Sequence, residues 1–295
     1  MRSAAIGNII WDARSKESQP SLRSTDLRRR VRAAKICDAV LTAAGTGTWG
    51  PSAGLNTTCS PGRNDEMSSE ATSGEPAHPT MLIPGRALLF DCDGVLVDSD
   101  ASVVSAWSRW ASRYALNPAE VVVLVHGRRS GDTVSALIDP DRQDEALKLI
   151  NEFEIEDAST VRAIPGAKEL LSTVPAGSWA VVTSGLTRLA QARMSAAGLP
   201  LPSVLVTADL VGMGKPEPEG YLMAANRLGV SAGECIVVED AVDGVLAARA
   251  AKVGAVVGVG PRVSQAEVDA HVSDLTPLAW AANGLSIWRP LLPVT

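Results

Sequence analysis

From residue 83 onward, short runs of apolar and β-branched residues alternate with longer stretches whose apolar positions recur at helical spacing. Runs at 87–90, 179–183, 203–207, 235–239 and 255–259 predict strands, with a shorter closing strand near 270–273. Helices are predicted between them at 166–173, 187–197, 220–228 and 244–251. Strand and helix in alternation specify an α/β fold, a mostly parallel sheet covered by helices on both faces. The final segment, from Trp280 through Pro290 and Pro293, predicts an irregular tail.

One insertion breaks this rhythm. Between residues 100 and 163 the alternation stops, and four helical patterns follow at 101–114, 118–126, 130–137 and 142–153. They predict a small helical cap that leaves after the first core strand and returns before Ile164-Pro-Gly166. Ligands of open parallel sheets bind beyond the carboxyl ends of the strands, so a cap inserted there covers the site. The expected organisation is a core of 81–99 and 164–280, a cap of 100–163 and a tail of 281–295.

Residues 1–80 read differently. They hold a basic cluster at 28–32 and a Ser-, Gly-, Pro- and Thr-rich stretch at 50–80. That composition predicts a disordered extension, with a short helix at 26–42 its one ordered feature. No continuous apolar segment follows a basic start, so a signal peptide is not expected. Met67 and Met81 are alternative starting points for the folded chain.

Charge narrows the function. Residues 81–295 carry a formal charge of −8, the wrong sign for a nucleic-acid binder. No apolar stretch reaches the length of a bilayer span. Cys37, Cys59, Cys92 and Cys235 lack paired ligand spacing, and the last two stand in apolar strand-like runs. They read as buried free thiols of a reducing, cytoplasmic setting. A monomer is the default expectation.

Chemistry gathers at four predicted strand ends. The first delivers Asp91 and Asp93, two carboxylates whose spacing on extended chain points them the same way. The others deliver Thr183 and Ser184, then Lys215, then Glu239 and Asp240. Taken singly, each has a bland reading as a helix cap or a solvated side chain. Their recurrence at one face of one sheet is what counts. The set fits phosphoryl transfer: Asp91 attacks phosphorus, and Asp93 protonates the leaving oxygen and then activates water. Mg²⁺, held by Asp91, Asp240 and the backbone carbonyl of Asp93, suits such hard oxygen ligands. Thr183 and Lys215 would grip phosphoryl oxygens, with backbone N–H groups near Cys92–Gly94 and Ser184 assisting, while Glu239 orients Lys215 or a metal-bound water. The pair Gly212 and Gly214 lacks nucleotide-loop spacing.

With these residues assembled, the chain resembles the haloacid dehalogenase-like hydrolase superfamily. The motifs are Asp91-Cys-Asp-Gly-Val-Leu-Val-Asp-Ser99, Val182-Thr-Ser-Gly185, Gly214-Lys-Pro-Glu-Pro218 and Val238-Glu-Asp-Ala241, in the family's order. The resemblance spans about residues 87 to 278 and implies a Rossmann-like three-layer core with a four-helix cap. It also implies the roles given above to Asp91, Asp93, Thr183, Lys215, Glu239 and Asp240. Dehalogenases lack the second Asp, the phosphonate-cleaving branch needs a cap lysine where only Lys148 is available, and ion pumps carry membrane domains. The nearest resemblance is to glycerol-phosphate and 2-deoxyglucose-6-phosphate phosphatases. His126-Gly-Arg-Arg-Ser-Gly-Asp132 resembles their cap element, which implies that His126 and Arg129 face a small phosphorylated sugar or polyol. The competing expectation is a beta-phosphoglucomutase-like enzyme using the same aspartyl-phosphate. A non-catalytic module is disfavoured because no core catalytic position is missing.

Overall fold

The computed structural model describes residues 81–288. The expected extension, its helix at 26–42, Cys37, Cys59 and the two prolines of the tail lie outside those residues. The chain opens with β1 (Met81–Pro84) and β2 (Ala87–Phe90), turns through the Asp91–Gly94 loop and forms the two-residue β3 (Val97–Asp98). The cap follows as α1 (Asp100–Arg113), α2 (Pro118–Val122), α3 (Ser130–Leu137) and α4 (Gln143–Asp157). The chain returns through β4 (Arg162–Ala163) into α5 (Ala167–Thr173), β5 (Trp179–Val182), α6 (Thr187–Ala196) and β6 (Val204–Val206). It continues as α7 (Glu219–Leu228), β7 (Cys235–Glu239), α8 (Val242–Ala250), β8 (Ala255–Val259) and β9 (Ala270–Val272). A hairpin of β10 (Leu278–Ala281) and β11 (Gly284–Ile287) ends the described chain.

Six strands build the central sheet in the order β6-β5-β2-β7-β8-β9, every neighbouring pair parallel. Alternation along each strand divides the core. Leu88, Phe90, Val181, Ile236, Val238 and Val257 meet α5 and α6 on one face. Leu89, Ala180, Val182, Val237 and Val256 meet α7 and α8 on the other. Both faces are apolar because both are covered, the physical reason these strands read as continuous hydrophobic runs. Burying one such Leu or Val contributes about 1.5–3 kcal/mol. Cys92 and Cys235 are buried free thiols, as their surroundings predict.

The cap has its own aromatic centre. Trp107 and Trp110, one turn apart on α1, meet edge to face with centroids 5.1 Å apart, and Tyr114 extends the stack. The Trp110 indole N–H donates to the Ala146 carbonyl at 2.8 Å, tying α1 to α4. Asn117 caps α2 by accepting from the Ala119 N–H, with Pro118 at the first helical position. That helix ends at Val122, four residues short of the expectation. The β-branched run Val121–Val123 is a poor helix former, and Gly127 takes a positive φ of 76°. His126 therefore sits in a turn.

The expected irregular tail needs correction. Residues 278–287 form a hairpin whose second strand also pairs with β1, giving a small antiparallel sheet ordered β1-β11-β10. Leu285 and Ser286 are buried there, and Met81 is itself the first residue of a strand. The tight turn at Ala282–Asn283 before Gly284 makes the reversal; a Cβ on Gly284 would come within 2.0 Å of the Ile83 carbonyl oxygen. The prolines further on masked this Asn-Gly signal.

Candidate active site

The site lies where β2, β5 and β7 end side by side. The Asp91 N–H donates to the Val238 carbonyl at 3.0 Å, which continues the ladder one residue past β2 and carries the Asp91 side chain to the sheet's rim. The loop then closes on itself, with the Gly94 N–H donating to the Val97 carbonyl at 2.8 Å. Gly94 has φ 84°, and a Cβ there would come within 2.1 Å of an Asp240 carboxylate oxygen. Only glycine lets the first loop approach the fourth strand end so closely.

Asp91, Glu239 and Asp240 bring one carboxylate oxygen each to within 4.8 Å of one another, all buried. Burial pushes the Asp91 carboxyl up to about 7 against the pull of Lys215, and it pushes Glu239 well above its ordinary range. Burial also raises Asp240. Three buried carboxylates this close call for positive charge. Lys215 supplies part, with Nζ 2.5 Å from Asp91 Oδ1 and 3.1 Å from Glu239 Oε1. Burial works against that ammonium, yet the two carboxylates outweigh it and hold the charge. Arg262 supplies more, donating from Nε to Asp240 at 3.1 Å and from Nη1 to Asp100 at 2.9 Å. The oxygen-only donor set fits a hard divalent ion, with Asp91 and Asp240 able to hold it. The Asp93 carboxylate points elsewhere: its Oδ1 accepts from Arg193 Nη1 at 2.9 Å. That contact holds the Asp93 carboxylate apart from the acidic cluster.

Thr183 is buried at the end of β5, its Oγ1 accepting from the Gly185 N–H at 3.0 Å. The Ser184 hydroxyl donates to the Gly127 carbonyl at 2.8 Å, a contact between core and cap. Lys215 reaches the centre because Glu219 accepts from the N–H groups of Gly212 and Met213 at 3.0 and 2.8 Å and folds their loop inward.

A cleft opens above these groups, walled by Asp91, Asp93, Thr183 and Asp240 below and by cap residues above. His126 lines it; burial lowers its pKa, so the ring is neutral near pH 7. Arg129, expected to face the substrate, lies outside these walls. Its guanidinium pairs with Asp132 at 2.8 and 3.0 Å and donates to the Gly212 carbonyl at 3.1 Å, bracing the cap on the lysine loop. Its neighbour Arg128 lines the cleft instead. Sequence reasoning also missed Arg193, Glu154, Arg262 and Trp107. Arg193 and Glu154 had left a signal, each being a charged residue on an otherwise apolar helical stripe. Arg262 follows β8, a fifth strand end next to the four already read.

A family model described as haloacid dehalogenase-like hydrolase matches residues 86–252. Hexitol phosphatase A of Escherichia coli is 43% identical over 172 residues, covering 56% of this chain and 79% of that protein. Glycerol-1-phosphate phosphohydrolase 2 of Saccharomyces cerevisiae is 34% identical over 179 residues, covering 56% and 71%. A hydrolase structure from Pseudomonas syringae superposes with a TM-score of 0.59 at 27% identity, covering 65% of this chain and 94% of that one.

Proposed function

The chain belongs to the haloacid dehalogenase-like hydrolases, and on that footing we propose that it is a magnesium-dependent phosphatase of small phosphorylated sugars or polyols. The observation that carries this reading is the buried cluster of Asp91, Glu239 and Asp240 around Lys215, beside a carboxylate, Asp93, held apart from it. The likeness to hexitol and glycerol-phosphate phosphatases supports the substrate class.

In the first step a carboxylate oxygen of Asp91 attacks phosphorus and the ester P–O bond breaks. The protonated Asp93 gives its proton to the departing alkoxide. In the second step water attacks the aspartyl-phosphate, passes its proton to Asp93 and releases inorganic phosphate, which restores Asp91. Thr183, Lys215 and the backbone N–H of Ser184 hold the phosphoryl oxygens, where charge builds in the transition state. Mg²⁺, held by Asp91, Asp240 and the Asp93 carbonyl, would neutralise charge between the nucleophile and the phosphate. Glu239 fixes Lys215 by its 3.1 Å contact. His126 lines the cleft on the substrate's side. Arg129 supports this wall from behind.

The test is product-resolved turnover with magnesium on sorbitol 6-phosphate, glycerol 3-phosphate, 2-deoxyglucose 6-phosphate, fructose 6-phosphate and beta-glucose 1-phosphate. Free phosphate, lost in Asp91→Asn, supports the phosphatase. Conversion of beta-glucose 1-phosphate to the 6-phosphate with little phosphate release would replace it with the mutase.

A further inference from the structure

Two buried charges face each other across the cleft, and the hydrogen bonding of one of them, Arg193, is incomplete. Arg193 comes from the core helix α6, where Leu189, Ala190 and Met194 are buried beside it, and is 2% exposed. Glu154 comes from the cap helix α4, on the stripe of Ala146 and Ile150, and is 6% exposed. Both line the cleft together with Asp93, Trp107 and Ser130.

The guanidinium spends one nitrogen on Asp93. Its Nε and Nη2, the two donors of one edge, make no hydrogen bond. Nη2 lies 3.6 Å from Glu154 Oε1, an ion-pair distance that is too long for a hydrogen bond. Glu154 accepts from Ser130 Oγ at 3.0 Å through its other oxygen. Unmet buried donors destabilise the site, and a ligand that meets them recovers that energy.

The chemistry of the pair restricts the ligand. A carboxylate or second phosphate would satisfy Arg193 but would be driven against Glu154. An alkyl chain would leave the guanidinium edge unmet and offer nothing to the carboxylate. A hydroxyl accepts from the guanidinium and donates to the carboxylate at once. We propose that Arg193 and Glu154 form a hydroxyl-recognition pair for the leaving group, selecting polyhydroxylated phosphate monoesters over phosphorylated carboxylic acids and plain alkyl phosphates. This inference rests on the phosphatase reading and assigns the substrate's non-phosphate half.

The experiment compares kcat/KM for sorbitol 6-phosphate, propyl phosphate and phosphoglycolate in the wild type and in Glu154→Gln, with circular dichroism to verify folding. The wild type is expected to prefer the polyol ester at least tenfold over both others. In Glu154→Gln the polyol-to-propyl ratio should fall about 10- to 100-fold, mainly through KM, and phosphoglycolate should gain relative to propyl phosphate. Arg193→Lys, which keeps charge but loses the two-donor edge, should lower the same ratio. Equal loss on all three substrates would mean a structural role and overturn the proposal. If Glu154→Gln fails to fold, the wild-type preference decides, and a preference below tenfold overturns it. Phosphate release without preference sinks this inference alone. No phosphate release from any ester removes the phosphatase reading and this inference with it.

Discussion

The ammonium of Lys215 stands 2.5 Å from the Asp91 carboxylate, so the cation and the expected nucleophile form one buried ion pair, which Glu239 shares at 3.1 Å. Both side chains of the pair are less than a tenth exposed. Removing one partner strands the other charges in a poorly solvated interior. Lys215→Met should lower unfolding free energy in metal-free buffer by about 3–5 kcal/mol, read from urea denaturation. Unchanged stability would mean that Asp91 and Glu239 bury their protons instead of their charges.

If the same carboxylates hold the proposed cation, stability will depend on it. Magnesium at about 100 times its dissociation constant should stabilise the folded state by about 2.7 kcal/mol, seen as a rise in melting temperature reversed by chelator. Asp240→Asn should abolish most of that rise, because it removes one of the two carboxylates assigned to the metal. A full response in Asp240→Asn would place the ion elsewhere.

The core was legible because physics wrote it twice. Strands such as Cys235–Glu239 and Ala255–Val259 are buried on both faces, and each turns into a loop whose polar residues have no packing reason to be there. Asp91, Asp93, Thr183, Lys215 and Asp240 stood out on that contrast. Arg193 and Glu154 left only the weaker mark of a charge on an apolar stripe, which gains meaning once the facing surface is known to be buried. Arg129 was expected toward the substrate and is found paired with Asp132, because adjacent arginines on a turn diverge and sequence does not say which one faces the cleft. The hairpin at 278–287 was missed because its strands are four residues each and one face of the sheet is only half-buried.

Gly244 offers a test of how tightly Glu239 is held. A Cβ at that position would lie 1.4 Å from Glu239 Oε1, inside the helix α8 that backs the site. Gly244→Ala should cost about 1–3 kcal/mol and lower kcat/KM at least tenfold by displacing that carboxylate from Lys215. Gly131→Ala is the matching control on stability. Its Cβ would meet only Leu147 at 3.8 Å, and within α3 the change should leave stability unchanged or raise it by up to about 1 kcal/mol.

Thiol chemistry gives a pH-dependent prediction away from the acidic cluster. Burial, with a further push from Glu234, raises the Cys235 thiol to about 11, and burial raises Cys92 as well. Because the folded state keeps these protons longer than the unfolded chain, the contribution to stability is full below about pH 9 and is lost as pH rises toward 11. Native protein at pH 7.5 should leave Cys92 and Cys235 unmodified by iodoacetamide over an hour, and urea should expose both, as read by peptide mass spectrometry. Rapid native labelling of either would contradict the burial.

The two crossings between core and cap are hydrogen-bonded to each other: β3 pairs with β4 at Val97–Ala163 and Asp98–Arg162, and the Ile164 N–H reaches the Leu96 carbonyl at 3.0 Å. Paired crossings resist shear, so a cap that moves would turn about this short ribbon instead of sliding across the sheet. Val97, Asp98, Arg162 and Ala163 would then set the line of that turn while standing apart from the acidic cluster.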